Sequence, residues 1–541
     1  MLTQNEQLFL ELVNAARLDP AGEAERQGIP LNEGLAPGTI DDTPVQPLAA
    51  NAQIQQAATV HSQWMLDTNT FSHTGAGGST PGDRMSAAGY PFESPSGWGE
   101  NVALLRTTGT IDFQAAVTQH HDMLYESSGH RENLFTAYFR ETGISQERGE
   151  FETGWDSSML THKLGLSGSR VFLTGVVFED GDANEAYSLG EGMGDFSVSA
   201  GGSATSTWAA GGYSLGVDSD PSVRVTLGQG EGALDVIVDL SGDNVKLDLL
   251  NGSRILTSGN VTLSDGARDI EMLGAVDNTI IGNALDNHFY IGRGDNILVG
   301  GGGLDRAVFT GLRTNYTITD NPDGTTTVAD QRSGPESDGT NTVSEVEYLA
   351  FSDITVDLQT PLDGETINGQ LASVTGTPIG ETELRFSLTD GAEHVISTDQ
   401  TGAFSLVLPE GETGRLTMAQ DANSNIQPNV TDALDILRLS VGLTPSFGPA
   451  TPQDLIAADV DFSGGIKVDD ALDTLRAAVG LETENAAPGA YVLLDPEQPL
   501  DMVSVDNVTY SHGVNITHDH VGTPLDIDVV VLGDLGSFNA V

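Results

Sequence analysis

The sequence predicts a multidomain protein. An α/β/α sandwich comes first, β-sandwich and β-roll modules follow, and a small α-helical calcium domain precedes a β tail. Three observations predict this order. The 541 residues exceed the roughly 250–300 at which a single core stops growing. Near residue 185 helical periodicity gives way to short alternating segments rich in Gly, Ser, Thr and Val. Two internal repeats place oxygen-bearing side chains at fixed spacing.

Composition narrows the function. The chain has 78 acidic and 22 basic residues, a net charge of -56. That excludes nucleic acid, whose phosphates need Lys and Arg, and an anionic membrane surface. It suits divalent cations. Cys is absent and Gly numbers 65, so a secreted chain of this size needs rigidity from a source other than disulfides, for which calcium is the obvious candidate. No apolar run reaches about 18 residues, so no transmembrane segment is predicted. The opening "MLTQNEQLFLELVNAARLD" has no basic start and no long apolar core. It reads as a helix and not as a signal peptide.

Residues 1–185 form the predicted α/β/α layer. "NEQLFLELVNAARLDP" is a helix with Leu8, Leu12 and Val13 on its apolar face, closed by Pro20. "ANAQIQQAATVHSQWMLDT" and "IDFQAAVTQHHDMLYESS" are two more helices, and "SRVFLTGVVFED" is a buried strand. Residues 186–272 are expected to be a β domain, with strands at "VRVTL" and "NVKLDLL". Residues 273–360 hold the first repeat, 361–417 a β-sandwich, 418–484 the second repeat, and 485–541 a β tail carrying an export signal.

In the first repeat Asn278, Asn287, Asn296 and Asp305 stand nine apart, and Ile280, Phe289, Leu298 and Ala307 follow two residues behind them. Glycines allow tight turns, the Asn or Asp supplies oxygen, and the apolar position points inward. The stretch resembles the RTX family of calcium-binding β-rolls. The resemblance implies calcium at Asn287, Asn296 and Asp305, with Asp305 the strongest ligand because a neutral amide attracts the cation less. A glycine-rich roll without an ion is the other reading of the same residues. "NTVSEVEYLAFSDITVDL" closes the roll.

In the second repeat, 421–443 aligns with 459–481 without gaps. Asp421, Asn423, Asn425 and Asp432 in one copy match Asp459, Asp461, Ser463 and Asp470 in the other, at positions 1, 3, 5 and 12 of an EF-type loop. The second copy has Gly464 at the sharp turn, where the first has Ile426. Solvated helix-capping acids are the plainer reading. Loop, exiting helix and duplication together resemble a dockerin domain, which implies Ca²⁺ and a cohesin-like partner.

The N-terminal segment carries three ordered motifs: "FSH" (71–73), "GEN" (99–101) and "SSGHREN" (127–133). Over roughly residues 5–180 they resemble the CAP superfamily (the SCP-like fold) in a bacterial, cysteine-free form. The resemblance implies that His73, Glu100 and His130 face one cleft, where the histidines can hold Zn²⁺ or another divalent metal. Glu126 is the nearest counterpart of a second cleft glutamate, and His121 is expected near the site. From residue types alone, a metal site and a satisfied polar cluster both fit. In the second reading Ser128 caps the helix of His130 and Arg131 pairs with an acid. No Cys and no G-x-S-x-G elbow point to a nucleophile here.

The expected function is that of a secreted, calcium-binding modular protein whose CAP domain binds an extracellular ligand, lipid or protein. A metal-dependent hydrolase or peptidase using His73, Glu100 and His130 is the rival class. A scaffold component docking a cohesin-like module is the third. Export by a type I system without an N-terminal signal is expected.

Overall fold

Helix α1 (Gln4–Leu18) begins at a capping box in which Thr3 and Glu6 satisfy each other's backbone N–H groups. It buries Phe9, Leu10, Val13 and Ala16, while Leu8 and Leu12 are only half-buried. Pro20 does not close this segment: Asp19 caps a second helix, α2 (Pro20–Gln27), and the proline sits in its first turn. There its missing N–H costs nothing. The computed structural model describes residues 1–264, 266–358, 364–380, 382–389, 393–418, 428–481, 483 and 486–535. They fall into two compact units, Met1–Leu358 and Gln359–Val541.

The first unit opens with helices α3 (Ala52–Thr68), α4 (Pro81–Ala87), α5 (Ala115–Glu126) and α6 (Ser128–Phe135). They accompany a four-stranded sheet of β1 (Ala49–Ala50), β2 (Ser96–Thr107), β3 (Glu141–Glu150) and β4 (Asp156–Ser167), in the order β1-β3-β4-β2. The β2–β4 register sets Glu100 opposite Lys163, which decides the electrostatics of the cleft.

Strand β5 (Val171–Phe178), expected to belong to this layer, lies instead in a nine-stranded sheet, between Gly212–Val217 and Val245–Leu250. Its run of buried Val, Leu and Phe suits a strand covered on both faces. Beyond it come antiparallel strands, and from Arg254 onward the chain coils into a roll of mostly parallel strands, with two sheets around one core. Phe289 pairs with Ala307 and Ile280 with Leu298, eighteen residues on, so each turn of the roll consumes two nine-residue repeats. The repeat's apolar positions are therefore the core: Ile280, Phe289, Leu298 and Ala307 are fully buried.

In the second unit, Gly364–Ser373 pairs antiparallel with Ala403–Pro409 and parallel with Leu525–Val531. Tyr491–Leu494 completes that sheet, and Val514–Ile516 joins a second sheet beside Gly414–Met418. The expected sandwich and the expected tail thus share one set of strands. Helices α7 (Val430–Ser440), α8 (Pro452–Ala458) and α9 (Val468–Ala478) lie between them in sequence. Ile436, Leu439, Ile456 and Val460 share a core with Val492, Leu494, Val530 and Leu532 of the tail strands. Among the described residues no helix is long and apolar enough to cross a membrane.

Candidate functional site

The three N-terminal motifs converge. His73 follows α3, Glu100 lies on β2 and His130 on α6. The His73 Nδ1 is 3.0 Å from Glu100 Oε1, and the His73 and His130 ring centroids are 6.2 Å apart. Glu100 is buried among basic side chains. Arg84 Nη2 donates to its Oε2 at 2.7 Å, Lys163 Nζ donates to the same oxygen, and His61 Nε2 lies 3.8 Å from Oε1. Burial alone would raise this carboxyl, but His73, Lys163 and Arg84 outweigh it and hold it at about 2. Burial pulls Lys163 down to about 8 against the pull of Glu100, so its ammonium keeps its proton at neutral pH. Glu100 is therefore a permanently ionised anchor. A group so fully neutralised is a poor general base, since an effective base needs a proton affinity near the working pH.

Burial, then the neighbouring His73, lowers the His130 imidazole. A neutral ring is the form that ligates a metal. With Glu100 orienting His73 through Nδ1, two imidazoles are available to a divalent ion, and the carboxylate would act behind them. Among the described residues no group of three possible ligands includes either histidine. His121 does not face this cleft. It is buried with its Nε2 2.9 Å from Glu23 Oε1 of α2.

The rest of the motif is structural. Ser127, not Ser128, precedes α6, and it makes no side-chain cap. Arg131 is fully buried and, among the described residues, pairs with no acid. It donates to the carbonyls of Leu31, Tyr125 and Glu33, which a planar five-donor group can satisfy together. Asn101 donates to the His130 carbonyl at 3.2 Å, and Asn133 to Asn101 Oδ1 at 2.8 Å. Beside His130 opens a cavity of about 360 Å³ walled by Phe71, Val102, Leu104, Met123 and Leu124. Phe71 and Met123 are 47% and 37% exposed, so the apolar wall is reachable from outside.

The second EF-type loop assembles. Ligand atoms of Asp459, Asp461 and Asp470 all lie within 4.8 Å of one another. Ser463 N–H donates to Asp459 and Asp461, Gly464 N–H donates to Asp459, and Gly464 takes φ +80. That conformation is the one glycine adopts freely. Burial, then the charges of Asp461 and Asp459, pushes the Asp470 carboxyl up to about 7. Three carboxylates crowded in this way are the donor set a Ca²⁺ ion neutralises. Of the first loop, Asp421, Asn423 and Asn425 lie outside the described residues. Asp432 caps α7, accepting from the N–H groups of Asn429 and Leu535.

In the roll, the Asn and Asp positions form a ladder. The N–H of Asn278 donates to Asn296 Oδ1 at 3.0 Å, Asn287 to Asp305 Oδ1 at 2.8 Å, and Asn296 to Asn341 Oδ1 at 3.2 Å. The side chains thus satisfy buried backbone donors. A neutral amide does so without the cost of burying a charge, which accounts for Asn where Asp was expected. Asp305 is the charged rung: burial raises its carboxyl to about 7, and its Oδ2, like Asn278 Oδ1, has no hydrogen-bond partner among the described residues.

One acidic cluster escaped the sequence reading. Ligand atoms of Asp180, Asp182 and Glu191 also lie within 4.8 Å of one another. With Asn184 and Ser188 they occupy positions 1, 3, 5, 9 and 12 of the same loop spacing. That spacing was the available signal, and a boundary drawn at 185 cuts through it.

Known proteins show the following likenesses to the chain. The sequence profile of CAP, the cysteine-rich secretory protein family, matches residues 10–154. Among solved structures, an extracellular protein containing a SCP domain from Bacillus anthracis str. Ames is 24% identical, over 30% of this chain and 39% of that one, with a TM-score of 0.19. An outer surface protein from Borrelia burgdorferi is 16% identical, over 23% of this chain and 80% of that one, with a TM-score of 0.18. This chain thus spans about two fifths of the Bacillus protein's length. No curated protein matches. The N-terminal part of the chain, which brings His73, Glu100 and His130 together, is a CAP domain.

Proposed function

We propose that this is an extracellular binding protein ordered by calcium, whose CAP cleft holds an apolar ligand beside His130. One observation carries the reading. The carboxylate of the GEN motif, Glu100, is tied up by Lys163, Arg84 and His73, while the space next to His130 is walled by apolar side chains. That combination supports binding over hydrolysis, since pockets of this kind bury a ligand's apolar body and use few polar groups to orient it. A divalent metal on His73 and His130 would add a polar contact at the rim. The calcium loop at Asp459–Asp470 fits the same setting, because sites of extracellular affinity fill only at about millimolar calcium. Asp305, with one oxygen left over, is the roll position best suited to calcium. Export by a type I route in a loosely folded, calcium-free state agrees with this dependence.

The test is fluorescence titration of the full chain with cis-parinaric acid. The native protein is expected to saturate at one equivalent. Met123→Asp, a change at a half-exposed position, is expected to weaken binding at least about tenfold, the effect of losing roughly 1.4 kcal/mol. Binding that survives this variant unchanged would place the ligand elsewhere.

A second reading rests on a separate observation. Val430, Leu434, Leu437, Val441 and Leu443 are matched 38 residues later by Val468, Leu472, Leu475, Val479 and Leu481. All ten are between 38% and 62% exposed. An apolar face duplicated on α7 and α9 supports docking of a protein partner, and the dockerin-like repeat suggests a cohesin-like module. In millimolar calcium such a module is expected to bind the native chain. It should not bind a chain carrying Leu434→Asp and Leu472→Asp. Equal binding of both by surface plasmon resonance, or none to either, would remove this reading.

A further inference from the structure

We infer that the chain holds a second ligand site, away from the cleft, for a protonated organic amine with an apolar body. Helix α1 and the first strands beyond the CAP sheet enclose a cavity of about 420 Å³, within the roughly 300–1,000 Å³ of small-molecule pockets. Leu8, Leu12, Val176, Phe178 and Leu256 form its apolar wall.

Its polar groups carry a surplus of negative charge. Lys246 Nζ lies 2.9 Å from Glu11 Oε2 and also contacts Asp248. Behind the wall, Arg254 Nη1 lies 3.0 Å from Glu185 and 3.5 Å from Glu271. Each of these cations serves two carboxylates. Arg293, which also lines the cavity, is held by Asp19. Tyr187 faces the same space, only 7% exposed, and its hydroxyl has no hydrogen-bond partner among the described residues. A buried hydroxyl without a partner is costly. Burial raises the Asp248 carboxyl to about 6 and raises Glu271 as well, with Glu11 beside the one and Glu185 beside the other adding to it. A cationic head would balance the surplus and donate to the Tyr187 oxygen, with its hydrocarbon part against the α1 leucines. An anion would add to the repulsion, and a neutral ligand would leave the surplus in place.

The experiment is isothermal titration calorimetry of the full chain with 4-phenylbutylamine, 4-phenylbutanol and 4-phenylbutyrate. The amine is expected to bind at one equivalent, at least about tenfold tighter than the other two. Ala15→Phe, at an exposed lining position, is expected to abolish binding by filling the cavity. Glu271→Gln, which keeps shape and removes charge, is expected to weaken the amine about tenfold and serves on its own should Ala15→Phe melt without cooperativity. Met123→Asp is expected to leave the amine unaffected, which separates this site from the cleft. No heat with the amine at millimolar concentration would overturn the inference. So would equal binding of all three probes, or Glu271→Gln binding as tightly as the native chain.

Discussion

Replacing Glu100 by Ala is expected to cost about 3–5 kcal/mol of stability, the range found when one partner of a buried ion pair is removed. The loss comes less from the missing attraction than from what is left behind. Lys163 is fully buried and Arg84 nearly so, and neither can recover its hydration. The double variant Glu100→Gln, Lys163→Met should therefore be more stable than Glu100→Ala alone, because it deletes the charge pair together. The acid branch follows from the same arrangement. Glu100 sits at about 2 against its ordinary 4.5, so its contribution is present above pH 4.5 and is lost as the pH falls from there toward 2. Urea unfolding of the first unit's transition, native against variants, measures both effects. A Glu100→Ala variant as stable as the native chain would mean that the cluster is not an anchor.

Removing calcium is expected to lower the melting transition of the second unit by the equivalent of about 2.7 kcal/mol when calcium is a hundredfold above its dissociation constant. The physical source is Asp459, Asp461 and Asp470, which crowd together at the mouth of α9. Without a cation their mutual repulsion and burial oppose the loop's closure. With one, the same charges become ligands. Asp470→Ala is expected to abolish the calcium response, because it removes the residue that joins the loop to the helix. Asp432→Ala should abolish less of it, since Asp432 is not one of the three carboxylates gathered at 459–470. Calorimetric melts with calcium and with chelator decide this, and identical curves for the native protein would refute the calcium account.

How far the sequence could be read depended on the range of the interactions. The roll was legible because its nine-residue period is local, and the structure simply stacks two periods per turn. The meeting of His73, Glu100 and His130 was legible through ordered motifs. What Glu100 does there was not, because its partner Lys163 lies 63 residues on and is set opposite only by the β2–β4 register. The same limit applies to β5, which a local pattern marks as a buried strand without saying which sheet takes it. It applies equally to Leu525–Val531, whose parallel partner lies over 150 residues earlier. The Asn ladder was open to two readings, since amide oxygens serve a cation and a backbone N–H equally well on paper. Stacking adds that a backbone N–H donates to the Asn296 amide oxygen and another to the Asp305 carboxylate.

The most direct test of the binding account is an NMR titration of the full chain, with its histidines labelled at Cε1, against cis-parinaric acid. The His130 signal is expected to shift and to saturate at one equivalent. Those of His120 and His162, both fully buried and absent from the cavity's lining, are expected to stay in place. A ligand that saturates while the His130 signal does not move would contradict an apolar site beside His130.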